Sequence, residues 1–148
     1  MRCLLILTIV VLALPDRPIR TPKAPTSLYE QFQGEWLWVG ANIGGYKQPP
    51  RNDVTVLTVV GTELQFTQNG RQVSGDDSYF TIDHSKEFAA IDITPRYGGG
   101  QKSEAIIKIE GSELTICYSY GPKVTGRPTD FLPGQQSQIY IYRRNTSR

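Results

Sequence analysis

The sequence predicts an all-β fold, an eight-stranded antiparallel up-and-down barrel preceded by one short helical turn. Three observations point there. From Glu35 onwards apolar and polar residues alternate with period two, the pattern of half-buried strands. Glycine turns (Val60-Gly61-Thr62, Asn69-Gly70 and Glu110-Gly111-Ser112) separate the alternating runs at hairpin spacing. Finally, a row of sequential strands leaves two exposed edges unless the sheet closes, and a barrel both removes the edges and buries one face of every strand. Fourteen glycines, ten prolines and eight tyrosines suit such a turn-rich domain.

Residues 1–14 open with Arg2 and run apolar from Cys3 to Leu14 apart from Thr8. That run is short for a bilayer span and fits the apolar region of a signal peptide, so the chain is expected to be exported, periplasmic or extracellular. A short uncleaved anchor and a later start codon stay open as alternatives. Residues 15–26 carry Pro18, Pro22 and Pro25 among basic residues and read as an extended linker. The folded domain is expected over 27–145. Ser27 and Glu30 have the spacing of a capping box, and Leu28 and Phe32 share one face of the turn it opens.

Strands are expected at 35–43, 54–60, 63–68, 71–82, 88–94, 104–110, 113–120 and 138–143. The inward set is Trp36, Trp38, Leu64, Phe66, Phe80 and Ile82 in the first half. In the second half it is Ala89, Ile91, Ile93, Ala105, Ile107, Ile109, Leu114, Ile116, Tyr118, Ile139 and Ile141. Trp36 and Trp38 are one strand period apart and bring two indoles to one face. The first strand is apolar on its other face too, through Leu37, Val39, Ala41 and Ile43, and the Leu28/Phe32 turn is expected to cover that face from outside.

Composition excludes several classes. Sixteen basic against fourteen acidic residues give a formal charge of +2, no electrostatic case for nucleic acid. Cys3 lies in the export segment and Cys117 in a strand, which rules out a disulfide framework and reads Cys117 as a packed thiol on the face opposite Ile116 and Tyr118. His84 is the only histidine, so neither a metal centre nor a cofactor is expected. It sits at a hairpin tip without a nucleophile, and Asp83 beside it reads as a turn cap. Gly98-Gly99-Gly100-Gln101-Lys102-Ser103 lacks the Gly-Lys-Ser adjacency and the following helix of a phosphate loop. Asn145-Thr146-Ser147 fits a glycosylation acceptor at a frayed terminus and carries no argument.

Three stretches carry a resemblance. Phe32-Gln33-Gly34-Glu35-Trp36 resembles the opening "LQGxW" of a lipocalin-like domain family of unknown function, common in planctomycete bacteria. Phe80-Thr81-Ile82-Asp83 through Ala90-Ile91-Asp92-Ile93 is similar to its "FxLDpskkPkxIDL". Gly111 to Cys117, followed by Arg127-Pro128-Thr129-Asp130-Phe131, is similar to its "GdxLxlC…RPxeF". His84 and Phe88 depart from the pattern, each standing where the family has proline. The resemblance implies a lipocalin-like barrel and an exported protein; it supplies no ligand and no reaction. Gly34-x-Trp36 by itself resembles the lipocalin entry motif, which implies an arginine from the barrel's end packed across that tryptophan; of Arg143 and Arg144, Arg143, on the face assigned to Ile139 and Ile141, is the expected partner of Trp36, with Arg144 toward solvent.

The functional expectation is non-enzymatic: an exported barrel binding a small apolar or amphipathic molecule. The alternative is a structural or interaction domain of the cell envelope with a filled barrel, and the volume of the lumen separates the two. Candidate ligand-binding or barrel-closing residues are Trp36, Trp38, Phe66, Phe80, Arg127, Phe131 and Arg143. For Arg127 two readings stand: a clamp for a carboxylate ligand, or a partner for a protein carboxylate with Phe131 plugging a barrel end. No integral membrane association is expected after signal removal.

Overall fold

The computed structural model describes residues 27–50, 52–73, 77–97, 101–121 and 126–146; the expected signal segment and linker lie outside them. Helix α1 (Leu28–Phe32) leads into strands β1 (Gly34–Ile43), β2 (Tyr46–Gln48), β3 (Thr55–Val60), β4 (Glu63–Gln68) and β5 (Arg71–Gln72). These are followed by β6 (Ser78–Asp83), β7 (Ala89–Pro95), β8 (Ser103–Glu110), β9 (Glu113–Ser119) and β10 (Ser137–Arg144). Eight of the strands form a closed antiparallel barrel in the order β1-β3-β4-β6-β7-β8-β9-β10, with β10 returning to pair β1; β2 and β5 are short hairpin partners outside that ring.

The capping box forms as the sequence dictates. Ser27 Oγ accepts from the Glu30 amide at 3.1 Å and Glu30 Oε2 accepts from the Ser27 amide at 3.2 Å. The helix does not cover β1 from outside. It closes one end of the barrel: Phe32 is fully buried, its ring meets Phe80 edge-on at 5.0 Å, and its carbonyl accepts the Trp36 indole N–H at 2.8 Å.

The two-faced first strand has a different resolution. A β-bulge at Val39 separates the pairs Trp38↔Tyr142 and Gly40↔Ile141. One extra residue reverses the facing of everything after it. Trp36 and Trp38 face the lumen before the bulge, and Ala41 and Ile43 line the same lumen after it.

Three further corrections concern the strands. The expected strand 71–82 is two elements: β5 pairs Thr67 and Gln68 near the end of β4, and β6 pairs Glu63 and Leu64 near its start. The intervening Ser74-Gly75-Asp76-Asp77 lacks the apolar alternation that would hold one strand together. β2, unforeseen, forms a hairpin with β1 around Gly44-Gly45. Ile139 and Ile141 on β10 do not face the lumen; Tyr142 and Tyr140 belong to the inner cluster, while Ile139 and Ile141 pack on the outer face with Ile106 and Cys117. Phe88 and Phe131 complete this second cluster, which gives β10 an apolar outer face and removes the hydrophobic contrast between its sides. The remaining inward assignments, from Leu64 through Tyr118, all lie in or against the inner cluster, joined by Leu57 and Val59 of β3.

Candidate functional site

The lumen has two halves of different character. At the α1 end it is solid: Phe32, Trp36, Leu57, Leu64, Ile91 and Leu114 are buried to within 1% of full coverage. At the other end it opens into a cavity of about 600 Å³. Five aromatic side chains line it, Trp38, Phe66, Tyr118, Tyr140 and Tyr142, together with the neutral polar groups of Gln48, Thr55, Gln68, Ser103 and Gln138. Asp53, exposed at the rim, is the sole charged residue among the described lining positions.

Strand parity explains the lining. Gln138, Tyr140 and Tyr142 alternate along β10, and Tyr118 on β9 meets Tyr140 edge-on at 5.9 Å between ring centroids. Gln138 Nε2 donates to the Tyr140 hydroxyl. Burial pushes the Tyr118, Tyr140 and Tyr142 hydroxyls up from their ordinary range; for Tyr140 the Gln138 hydrogen bond works against that rise. These hydroxyls therefore keep their protons at neutral pH and act as neutral donors and acceptors. The Trp38 indole N–H is buried and meets no acceptor among the described residues. Asp53 is held in place by its neighbours: Gln68 Nε2 donates to its Oδ2 at 3.1 Å and Asn69 Nδ2 to its Oδ1 at 2.9 Å.

The candidate residues read from the sequence divide between three places. Trp38 and Phe66 line the cavity. Trp36 and Phe80 belong to the solid end of the lumen, below it. Arg127 and Phe131 lie on the barrel's outer wall. Phe131 does not plug an end; it packs edge-on against Phe88 at 5.3 Å over Ile106, Cys117 and Ile139. Arg127 Nη1 donates to the carbonyls of Ile91 (3.0 Å) and Ala105 (2.5 Å), and its Nη2 pairs with Asp92. That guanidinium is committed to the protein, which is the structural one of its two readings. It holds the Asp92 carboxyl below its ordinary pKa, against the opposing effect of burial and with help from Lys102.

Arg143 is exposed, on the outer face of β10 opposite Leu37. The arginine across the tryptophan is Arg144, whose guanidinium carbon lies 3.8 Å from the Trp36 ring centroid. Gly34 makes room for it. A Cβ there would stand 3.2 Å from Arg144 Nη1, and its φ of +103° is one that side-chain-bearing residues rarely adopt.

Sequence reasoning missed Tyr140, Tyr142, Gln138 and Asp53. Closure requires that the residue paired with the inward Trp36 face inward too, and the register makes that residue Arg144, which sets Tyr142, Tyr140 and Gln138 on the lumen side. His84 is exposed at the β6–β7 turn, where Asp83 Oδ1 caps the Ser85 amide at 2.8 Å. Among the described residues no three His, Cys, Asp or Glu side chains gather in a metal-binding group.

No protein-family model, no curated protein and no solved structure matches the chain.

Proposed function

We propose that the protein is an exported, non-enzymatic carrier that holds a small amphipathic molecule in the open half of its barrel. One observation carries the reading: the lumen is not filled. Its cavity of about 600 Å³ falls inside the range of roughly 300–1,000 Å³ typical of small-molecule sites. Its walls combine aromatic surface with scattered neutral hydrogen-bonding groups, the mixture that binds an apolar body and orients a polar end. Burial keeps the Tyr118 and Tyr142 hydroxyls protonated at neutral pH, which suits hydrogen bonding to a ligand better than abstracting a proton from it. The three stretches similar to a lipocalin-like family, and the apolar segment at residues 3–14, support the barrel-carrier and export parts of the reading.

The test is native mass spectrometry of the protein purified from its own host without detergent, followed by denaturation and mass analysis of what is released. A stoichiometric small molecule that departs on unfolding supports the reading. A mass equal to the bare chain, together with no binding from a panel of amphipathic compounds, would overturn it in favour of a domain that works through its outer surface.

A further inference from the structure

Charge and wall chemistry together narrow the ligand class. Asp53 is the only charged residue among the described lining positions, and no lysine, arginine or histidine is among them. An anionic ligand such as a fatty acid would find no counter-charge among the described lining residues and would meet a carboxylate at the rim, an arrangement that disfavours binding. Trp38, Phe66, Tyr118 and Tyr140 bring π-systems whose faces attract a cation. The hydroxyls among them keep their protons, so the tyrosines add no negative charge of their own.

Asp53 has capacity left for a ligand. An ionised carboxylate offers about four acceptor positions, and Gln68 and Asn69 each take one, on different oxygens. Those two donors fix the direction of the carboxylate without neutralising it. The barrel therefore presents an aromatic well with an oriented anionic rim.

We infer that the lumen takes an organic cation: an ammonium group on an aromatic or aliphatic body, the head paired with Asp53 or seated against the aromatic wall and the body directed into the well. This rests on the lumen-binding reading above and specifies its ligand.

The test compares three probes of one carbon skeleton, phenylbutylammonium, phenylbutanol and phenylbutanoate, by isothermal calorimetry on the full-length protein. Fluorescence of Trp38, the one tryptophan lining the cavity, reports whether binding is in the lumen, and Trp38→Phe identifies that signal. The ammonium is expected to bind about tenfold tighter than the alcohol, the size of one desolvated cation–π or ion-pair contact, and the carboxylate weakest. Added salt should weaken the ammonium and leave the alcohol unchanged. Asp53→Asn should reduce the preference for ammonium over alcohol several-fold while alcohol affinity stays within about twofold.

Alcohol or carboxylate binding as tightly as the ammonium, with the Trp38 signal present, overturns the cation inference and leaves the lumen-binding reading standing. Failure of all three probes to bind overturns both. The comparison among probes on the unaltered chain and its salt dependence decide the matter even if Asp53→Asn perturbs the neighbouring turn.

Discussion

The Arg144 guanidinium sits over Trp36 with its carbon 3.8 Å from the ring centroid, and from there it reaches the carbonyls of Gln33, at 2.5 Å, and Gln31. The last strand thus holds the helix–strand junction at the start of the domain through one side chain. Those two carbonyls lie at the C-terminal end of α1 and just beyond it, where helical carbonyls lack backbone donors. Arg144 therefore caps the helix, sits over the indole and joins the last barrel strand to the segment that opens the first.

Arg144→Ala and Trp36→Ala should each lower the denaturant midpoint, and a double-mutant cycle should show coupling of about 1–2 kcal/mol, because both remove the same contact. Arg144→Lys should recover little, since an ammonium neither stacks on the ring nor spans two carbonyls in a plane. Arg143→Ala, on the exposed outer face, should change stability by less than about 0.5 kcal/mol. Additive effects at Trp36 and Arg144 would refute the shared contact.

The Asn69-Gly70 loop offers a test of backbone strain free of packing. Both residues have positive φ, 51° and 75°, and Gln68 pairs with Arg71 across them. A Cβ on Gly70 would meet nothing within 4 Å. Gly70→Val should still destabilise by roughly 1–2 kcal/mol, through the backbone alone. An unchanged midpoint in chemical denaturation would show that β4 and β5 contribute nothing to the cooperative unit.

That turn was legible from the sequence, and so were seven of the eight barrel strands, because a hairpin dipeptide and a period of two are local signals; the short β2 and the break between β5 and β6 were not. The failures are at places where a nonlocal contact decides. β10 has Ile139 and Ile141 on one side and Tyr140 and Tyr142 on the other, both apolar enough to be buried. Only the 126–136 segment, which lays Phe131 on the outer wall, makes outward isoleucines affordable. That misplaced parity turned Arg143 into the expected tryptophan partner and hid the tyrosine wall of the cavity. The Val39 bulge was likewise invisible, since nothing in Leu37-Trp38-Val39-Gly40-Ala41 fixes the register against a strand about a hundred residues away in the chain. The filled end was foreseen in part: Trp36, Phe80, Ile91 and Leu114 needed only the alternation, whereas Leu57 and Val59 of β3 were not among the inward residues and Phe32 was expected outside.

Cys117 predicts an alkaline weakness. Its side chain is fully covered, and burial first, with Asp130 second, pushes the thiol up to about 11 from 9.0. Below pH 9.0 the thiol is protonated in both native and unfolded chains and the difference has no effect. Between 9.0 and about 11 the unfolded thiol ionises while the native one does not. The native state then binds more protons, and stability falls as pH rises. Burial raises Tyr118, Tyr140 and Tyr142 in the same direction and steepens the fall above 10.0. Urea midpoints should drop across this range, Cys117→Ser should flatten the first part of the drop, and a thiol reagent at pH 8 should label Cys117 only in unfolded chain, read by peptide mapping that separates it from Cys3. Rapid labelling of Cys117 in the native protein would contradict the buried placement.

Arg127 fastens the outer segment to the barrel wall. Its two carbonyl bonds and the Asp92 pair span β7 and β8, and Phe131 covers Ile106, Cys117 and Ile139 four residues on. Arg127→Ala should cost about 1–3 kcal/mol, the range for charged hydrogen bonds in a partly buried site. It should also make Cys117 accessible to thiol reagents in the native state. The Asp92 carboxyl is held below 3.8 chiefly by Arg127, so its contribution is present above that pH and is lost as pH falls through the depressed native value. The acid arm of the stability profile should therefore flatten in Arg127→Ala and stay intact in Arg143→Ala.

The final prediction separates lumen binding from binding elsewhere on the barrel. Thr55 opens β3, is half-buried, and lines the cavity opposite Gln68. The strands flanking β3 are β1 and β4, and their Trp38 and Phe66 line the same cavity, so a larger aromatic side chain at Thr55 would find aromatic surface to pack on. Tryptophan is well suited to a strand, and the cavity's open mouth gives it space that the solid end lacks. Thr55→Trp should therefore leave the thermal midpoint within a few degrees of the parent, on the order of 1 kcal/mol in stability. It should abolish, or weaken by at least about tenfold, the binding of any ligand that sits in the lumen, because displaced volume cannot be recovered by side-chain adjustment in a packed wall. A control at Val60, exposed on the same strand, should leave binding unchanged when replaced by tryptophan. Undiminished ligand binding in a folded Thr55→Trp protein would place the site outside the barrel.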